Sequence, residues 1–178
     1  MQPDYKNGGG KPILDATCGS RMIWFDKHNP NCLYVDKRVL HGEAIWRSTK
    51  NDSVRKVDIE PDLVADFTAL PFPDETFYLV VFDPPHLLKI GENAWLCKKY
   101  GKLPDNWQQV IHDGFHECLR VLKTNGTLIF KWNEYDIPLK DIIQAIGEAP
   151  LFGHRSGKQA KTHWLCFMKG GNQMNEKV

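Results

Sequence analysis

Four short apolar runs, each closed by an aspartate, constrain this chain more than any other feature. They are ILD at 13–15, CLYVD at 32–36, DLVAD at 62–66 and VVFD at 80–83. Runs this short do not make buried helices; they read as strands of a sheet covered on both faces. In open parallel sheets, ligands bind beyond the carboxyl ends of the strands. Asp15, Asp36, Asp66 and Asp83 are therefore expected to form a polar rim facing a ligand rich in hydroxyl and amine donors. An isolated aspartate at such a position simply caps a turn; four in a row point to a site.

The remaining chain supplies the connections. SRMIWFDKH (20–28) fits a short helix stopped by Asn29-Pro30-Asn31. Residues 37–61 are charged and match no period. LPFPDETF (70–77) is a turn with two prolines, and 86–104 reads as a lysine-rich loop. A helix is expected from Pro104 or Asp105 to about Lys123, because Trp107, Ile111, Phe115, Cys118 and Leu122 follow helical spacing; Asn125-Gly126 would stop it. TLIFKW (127–132) is a fifth strand, and IPLKDIIQAIG a helix ended by Gly147. PLFGHRSG and KTHWLCFMK form a closing pair of strands. The alternation predicts an α/β fold with a mostly parallel sheet and helices on both faces. One domain is expected over residues 1–170, followed by a flexible tail at 171–178.

No run of 18 apolar residues and no apolar leader is present, so no membrane association is expected. The five cysteines (18, 32, 97, 118 and 166) are odd in number and form no C-x-x-C pair, which fits reduced thiols in a cytoplasmic protein. No metal-ligand set is expected: His112 and His116 are four apart on the long helix but lack the intervening acid of a zinc motif. Net charge is +1, so the whole surface is not polycationic, but basic residues cluster locally. Residues 37–56 hold six basic against two acidic side chains, 86–103 four against one, and 153–169 four against none. Converging in space, these segments would form a phosphate-binding face.

ILDATCGS, YVDKR, VADFTALPFPDETFYLVVFDPPH and LRVLKTNGTLIFKW, in that order, resemble the class I S-adenosylmethionine-dependent methyltransferases. Over residues 11–169 the chain is also similar to small methyltransferases carried by phages and prophages. The resemblance implies the Rossmann-like class I methyltransferase fold, a seven-stranded, mostly parallel sheet with an antiparallel C-terminal strand. It also implies S-adenosylmethionine as cofactor. Asp15, Ala16, Cys18 and Gly19 would line the first cofactor loop, with Cys18 packing rather than reacting. Asp36 would hold the ribose hydroxyls, Asp66 the adenine amine, and Phe67 the ring. The loop carries one glycine where the family usually has two or three, and Arg21 is the residue expected to bind the cofactor's carboxylate. A dinucleotide enzyme is the other Rossmann-like option, but DATCGSR lacks the G-x-G-x-x-G that seats a pyrophosphate.

Asp83-Pro84-Pro85-His86 matches the motif with which related enzymes methylate amino groups. The chemistry explains the residue types. The lone pair of an exocyclic base amine is delocalised into its ring. A carboxylate accepting one N–H and a backbone carbonyl accepting the other would turn that lone pair outward. Proline fixes φ and has no competing N–H. The resemblance implies catalytic roles for Asp83, Pro84, Pro85 and His86. Lys89, Trp95, Tyr100, Trp132 and Asn133 are candidate substrate contacts, the first three in a clamp over the acceptor. The expected acceptor is a base amine of nucleic acid, adenine N6 or cytosine N4, in DNA in preference to RNA and flipped out of any duplex. Little chain remains for target selection, which a protein partner would then supply. An RNA base, a protein side-chain amide, or a silent cofactor-binding module are the alternatives; oligomeric state is not readable.

Overall fold

The computed structural model describes residues 5, 7–154 and 161–170. The expected tail, 171–178, and Arg155 and Lys158 of the third basic segment lie outside the described residues. In chain order the strands and helices are β1 (Ile13–Asp15), β2 (Cys32–Asp36), β3 (Leu40–Arg47), β4 (Val54–Ile59), β5 (Leu63–Val64), β6 (Phe77–Phe82), α1 (Trp95–Tyr100), α2 (Trp107–Val121), β7 (Leu122–Asn133), α3 (Leu139–Ile146), β8 (Phe152–His154) and β9 (Thr162–Met168). Seven strands form one sheet in the order β5-β2-β1-β6-β7-β9-β8. β9 runs antiparallel to both its neighbours; the other pairings in the sheet are parallel. The sheet is the expected Rossmann-like one, seven-stranded and mostly parallel with an antiparallel strand near its C-terminal edge; helices on both faces are expected, but α2 and α3 pack together on one face. Successive connections leave β1 in opposite directions along the sheet, so a ligand crevice is expected beyond its carboxyl end.

The period-two pattern of the strands sends Leu14, Leu33, Val35, Val80, Phe82, Leu128, Phe130 and Trp132 to one face, where all are buried. α2 covers them with Ile111, Gly114, Phe115, Cys118 and Val121, spaced three or four apart on one stripe. Phe115 meets Phe167 edge-on at 4.8 Å. α2 approaches closely because residue 114 is glycine: a Cβ there would stand 2.4 Å from Cδ2 of Phe67. α3 packs against α2, and the His116 ring hydrogen-bonds the Ile146 carbonyl at 3.0 Å. His112 and His116 thus belong to the flank of this helix pair. Arg120 donates to the carbonyls of Leu70 and Phe72 and to Asp74 and Glu117, which fixes the proline-rich turn. No helix among the described residues is long and apolar enough to cross a membrane.

Four local expectations are corrected. Residues 20–28 form turns rather than a helix. Gly19 and Arg21 take positive φ (49° and 53°), and the Trp24 indole is drawn back to Asp15; neither fits a helical first turn. Residues 40–59 form a separate antiparallel hairpin, β3–β4, whose two register shifts break the alternation that would have announced it. The 86–104 loop contains the short helix α1. α2 ends at Val121 and passes directly into β7, because Leu122 pairs with Phe77; Asn125 (φ 63°) and Gly126 bend the strand instead of ending the helix.

Candidate active site

The first strand's carboxyl end is stitched to its neighbours by backbone bonds. Ala16 N–H donates to the Val81 carbonyl at 3.0 Å and Cys18 N–H to Val35 at 2.8 Å. The Asp83 amide donates to Thr17 Oγ1 at 2.8 Å, tying the proline turn to the β1 loop. Gly19 N–H donates to Asp36 Oδ2 at 3.0 Å, tying the same loop to β2. A methyl group on Gly19 would meet nothing within 4 Å, so this stretch of backbone faces open space. That space belongs to a cleft of about 260 Å³ lined by Asp15, Thr17, Gly19, Arg38, Asp83 and Lys131, among others. Pro84, His86 and Tyr100 also face it. A smaller adjoining recess is bounded by Ala16, Asp36, Phe67 and Pro85.

Three carboxylates surround this space in different states. Asp15 is 1% exposed; it accepts from Trp24 Nε1 at 2.7 Å and from the Thr17 amide. Burial pushes its pKa up to about 7 against the pull of those two bonds, and the charges of Asp83 and Asp36 add to the rise. Asp83 is also raised by burial, opposed by the charge and hydrogen bond of Lys131. Asp36 is saturated: it accepts from Gly19 and from the amide, Nε and Nη2 of Arg38. Arg38 reaches on to the Lys99 carbonyl.

Lys131 is the functional candidate that the sequence reading left unassigned. Its Nζ donates to Asp83 Oδ2 at 2.5 Å. Phe82 pairs with Phe130 in register, so the next residue on each strand, Asp83 and Lys131, lies side by side at the sheet's edge. The signal was present: lysine interrupts an otherwise apolar strand on the face opposite Phe130 and Trp132. Thr17 carried no comparable signal, since its partner is 66 residues away.

His86 lies 5.5 Å from the Tyr100 ring, centroid to centroid. Burial, then the charge of Lys131, hold its pKa down despite Asp136, so the ring is neutral. Gly101 (φ 80°) lets the chain pass closely over Pro85; a Cβ there would stand 3.1 Å from its Cγ. Cys18, as expected, is buried, and burial pushes its thiol up.

Several expected site residues stand elsewhere. The Arg21 guanidinium does not enter the cleft. It stacks 3.9 Å over the Tyr34 ring and donates to the carbonyls of Lys27 and Glu60 and to Asp62. Trp132 is fully buried, stacked on Phe130, with its indole N–H on the Ile137 carbonyl; the His86 ring stands nearly perpendicular to it, 6.5 Å between centroids. Asn133 Nδ2 is bonded to Thr162 Oγ1. Lys89 is exposed, its amide held by Asp136. Asp66 sits two residues beyond β5, closing a turn with Thr68. Phe67 is buried against Phe82 but still borders the recess beside Asp36. Trp95, like Leu40, packs on Val57 and Ile59 of the hairpin. Between Trp95 and Trp46 lies the Arg55 guanidinium, 5.1 and 5.2 Å from the two rings. Two of the three basic segments thus do converge, hairpin against α1, beside the cleft.

No family model matches the sequence, and no curated protein sequence matches it. Solved structures do resemble it. The PH0226 protein of Pyrococcus horikoshii aligns with a TM-score of 0.53 at 14% identity, over 88% of this chain and 81% of its own. A SAM-dependent methyltransferase from Leishmania major aligns at 0.49 and 13% identity, over 86% of this chain and 63% of its own. A TehB-like SAM-dependent methyltransferase from Corynebacterium glutamicum aligns at 0.48 and 12% identity, over 90% and 80%. At these identities, shared architecture is what the first alignment carries, and it agrees with the strand order: the chain has the Rossmann-like fold with an antiparallel strand near its C-terminal edge.

Proposed function

We propose that this protein is an S-adenosylmethionine-dependent N-methyltransferase acting on the exocyclic amine of a DNA base, adenine N6 or cytosine N4. The observation that carries the reading is the Asp83-Pro84-Pro85-His86 turn. Its carboxylate sits at the carboxyl end of a central strand, its amide is pinned by Thr17, and it opens on the same cleft as the glycine loop. Among the described residues, nothing donates to Asp83 Oδ1, which leaves one carboxylate oxygen for an incoming N–H.

The residues of the cleft fit the proposed cofactor. Gly19 offers open backbone, Asp15 and Asp36 offer carboxylates, and Phe67 borders the recess. Asp36 would accept the ribose hydroxyls in exchange for the Arg38 guanidinium that now fills its acceptor sites. Arg21 would act one step back, by holding the loop in place. Held by these residues, S-adenosylmethionine would supply an electrophilic methyl group on positively charged sulfur, with the neutral thioether as leaving group.

The chain's own residues prepare the amine. Asp83 Oδ1 accepts one N–H and the Pro84 carbonyl the other, so the nitrogen's lone pair is turned out of conjugation. Thr17 and the two prolines hold these acceptors in place before substrate arrives, so little reorganisation remains at the moment of reaction. Neutral His86, supported by Tyr100, lies against the base. The proton shed by the methylated nitrogen leaves through Asp83 to water in the cleft. The hairpin and α1, with Arg55, Lys56, Lys98 and Lys99, supply the charge that meets a phosphate backbone.

Purified protein incubated with methyl-labelled cofactor and DNA, RNA or protein, followed by nucleoside and residue analysis, tests this. Label in DNA as N6-methyladenine or N4-methylcytosine is expected. Label confined to RNA or protein would contradict the acceptor, and no label anywhere would contradict catalysis.

A further inference from the structure

We propose that Lys131 and Asp83 form a donor–acceptor pair that selects an amine whose carbon also bears a hydrogen-bond acceptor, and rejects alkyl amines and guanidinium groups. This rests on the methyl-transfer reading and specifies which amines that site takes. The two side chains end side by side on adjacent parallel strands, and both line the cleft. Their side chains are 22% and 24% exposed, so each is shielded on its strand side and open on the cleft side.

An ammonium has three N–H groups. In Lys131 one points to Asp83 Oδ2, and the Trp164 ring lies 5.8 Å from Nζ. Among the described residues no other acceptor takes a hydrogen bond from Nζ, so donor capacity remains for a ligand. Asp83 contributes the complementary acceptor, Oδ1. A cleft that presents one donor beside one free acceptor, the two joined through Asp83 Oδ2, matches a group with an N–H and an acceptor atom on one carbon. Adenine (N6 and N1) and cytosine (N4 and N3) both have this edge. Lys131 would donate to the ring nitrogen while Asp83 accepts from the amine.

The same lysine excludes other nitrogen nucleophiles. A lysine ammonium or an arginine guanidinium offers no acceptor atom and would bring a second positive charge within a few ångströms of Nζ, in a partly dry cleft. Repulsion there is far stronger than in water. Besides Lys131 and Asp83 the cleft is lined by Asp15, Arg38 and Lys99, so basic side chains outnumber carboxylates there, and Asp83 is shared with the substrate. The fold does not demand a lysine here: a threonine or valine would satisfy the strand.

The test uses oligonucleotides of whichever polymer is labelled in the survey above. Adenine is compared with 1-deazaadenine, and cytosine with 3-deazacytosine, in which the ring nitrogen is replaced by C–H. Wild-type protein should methylate the deaza substrate about 10- to 100-fold more slowly, the loss of one charge-assisted hydrogen bond. Lys131→Met should be slow on both and discriminate little between them; Lys131→Arg should restore part of the discrimination. The wild-type comparison needs no variant, so a misfolded variant does not rescue the idea. Equal rates for the wild type on both substrates, or full discrimination retained by Lys131→Met, overturn it while leaving methyl transfer intact. Absence of transfer to every oligonucleotide overturns the nucleobase reading and this proposal together.

Discussion

Asp15→Asn should flatten the pH dependence of stability, and the structure sets both sign and size. Asp15 is buried at the end of β1 with a pKa of about 7, whereas in the unfolded chain it titrates at the ordinary aspartate value of 3.8. Below pH 4 both states are protonated and the group contributes no difference. Between about pH 4 and 7 the unfolded chain ionises while the native chain holds its proton. The native state therefore binds more protons, and stability falls as pH rises through this window. Above pH 7 the loss is complete. Roughly three units at about 1.4 kcal/mol each give about 4 kcal/mol. Asparagine resembles the neutral acid, one acceptor and one donor at the same place, and cannot titrate. Urea unfolding of both proteins from pH 4 to 8 should show the variant gaining on the wild type by up to about 4 kcal/mol across the window. Parallel profiles would refute the claim that Asp15 is held protonated by burial.

Other outcomes follow from contacts elsewhere. Arg21→Ala should cost roughly 2–4 kcal/mol of stability, since it removes three hydrogen bonds and a stacked cation; an unchanged urea midpoint would show the network contributes nothing. Gly114→Ala places a methyl 2.4 Å from Phe67, and overpacking of this kind should cost about 1–3 kcal/mol, read as a lowered thermal midpoint. Trp95→Ala removes the side chain that ties α1 to the hairpin; limited proteolysis should then cut within 86–104 faster, and an unchanged cleavage rate would contradict that anchoring role.

The strands that carry the site were legible because their apolar runs are short and uninterrupted and each stops at a charged residue. Asp15, Asp36 and Asp83 were placed at strand ends this way, and so was the proline turn. What escaped was everything set by distance in the chain. Thr17 meets Asp83 across 66 residues and Lys131 meets it across 48; no period encodes such a meeting. Arg21 shows the other limit. The sequence identified a guanidinium beside the glycine loop, but its direction depends on Tyr34 and Asp62, which only the folded sheet brings there. The hairpin at 40–59 was hidden by its own register shifts, which place Arg55 and Lys56 both outward. Trp132 was misassigned because strand-end position suggested access, while alternation with Lys131, read more strictly, already placed it on the core face.

The central claim is that the Asp83 carboxylate grips the amine that receives the methyl group. Single-turnover transfer to the labelled polymer by wild type and Asp83→Ala, with cofactor affinity measured on the same samples, tests it most directly. The account predicts that the variant binds S-adenosylmethionine as the wild type does and transfers its methyl at least about 100-fold more slowly. Transfer at the wild-type rate would contradict it.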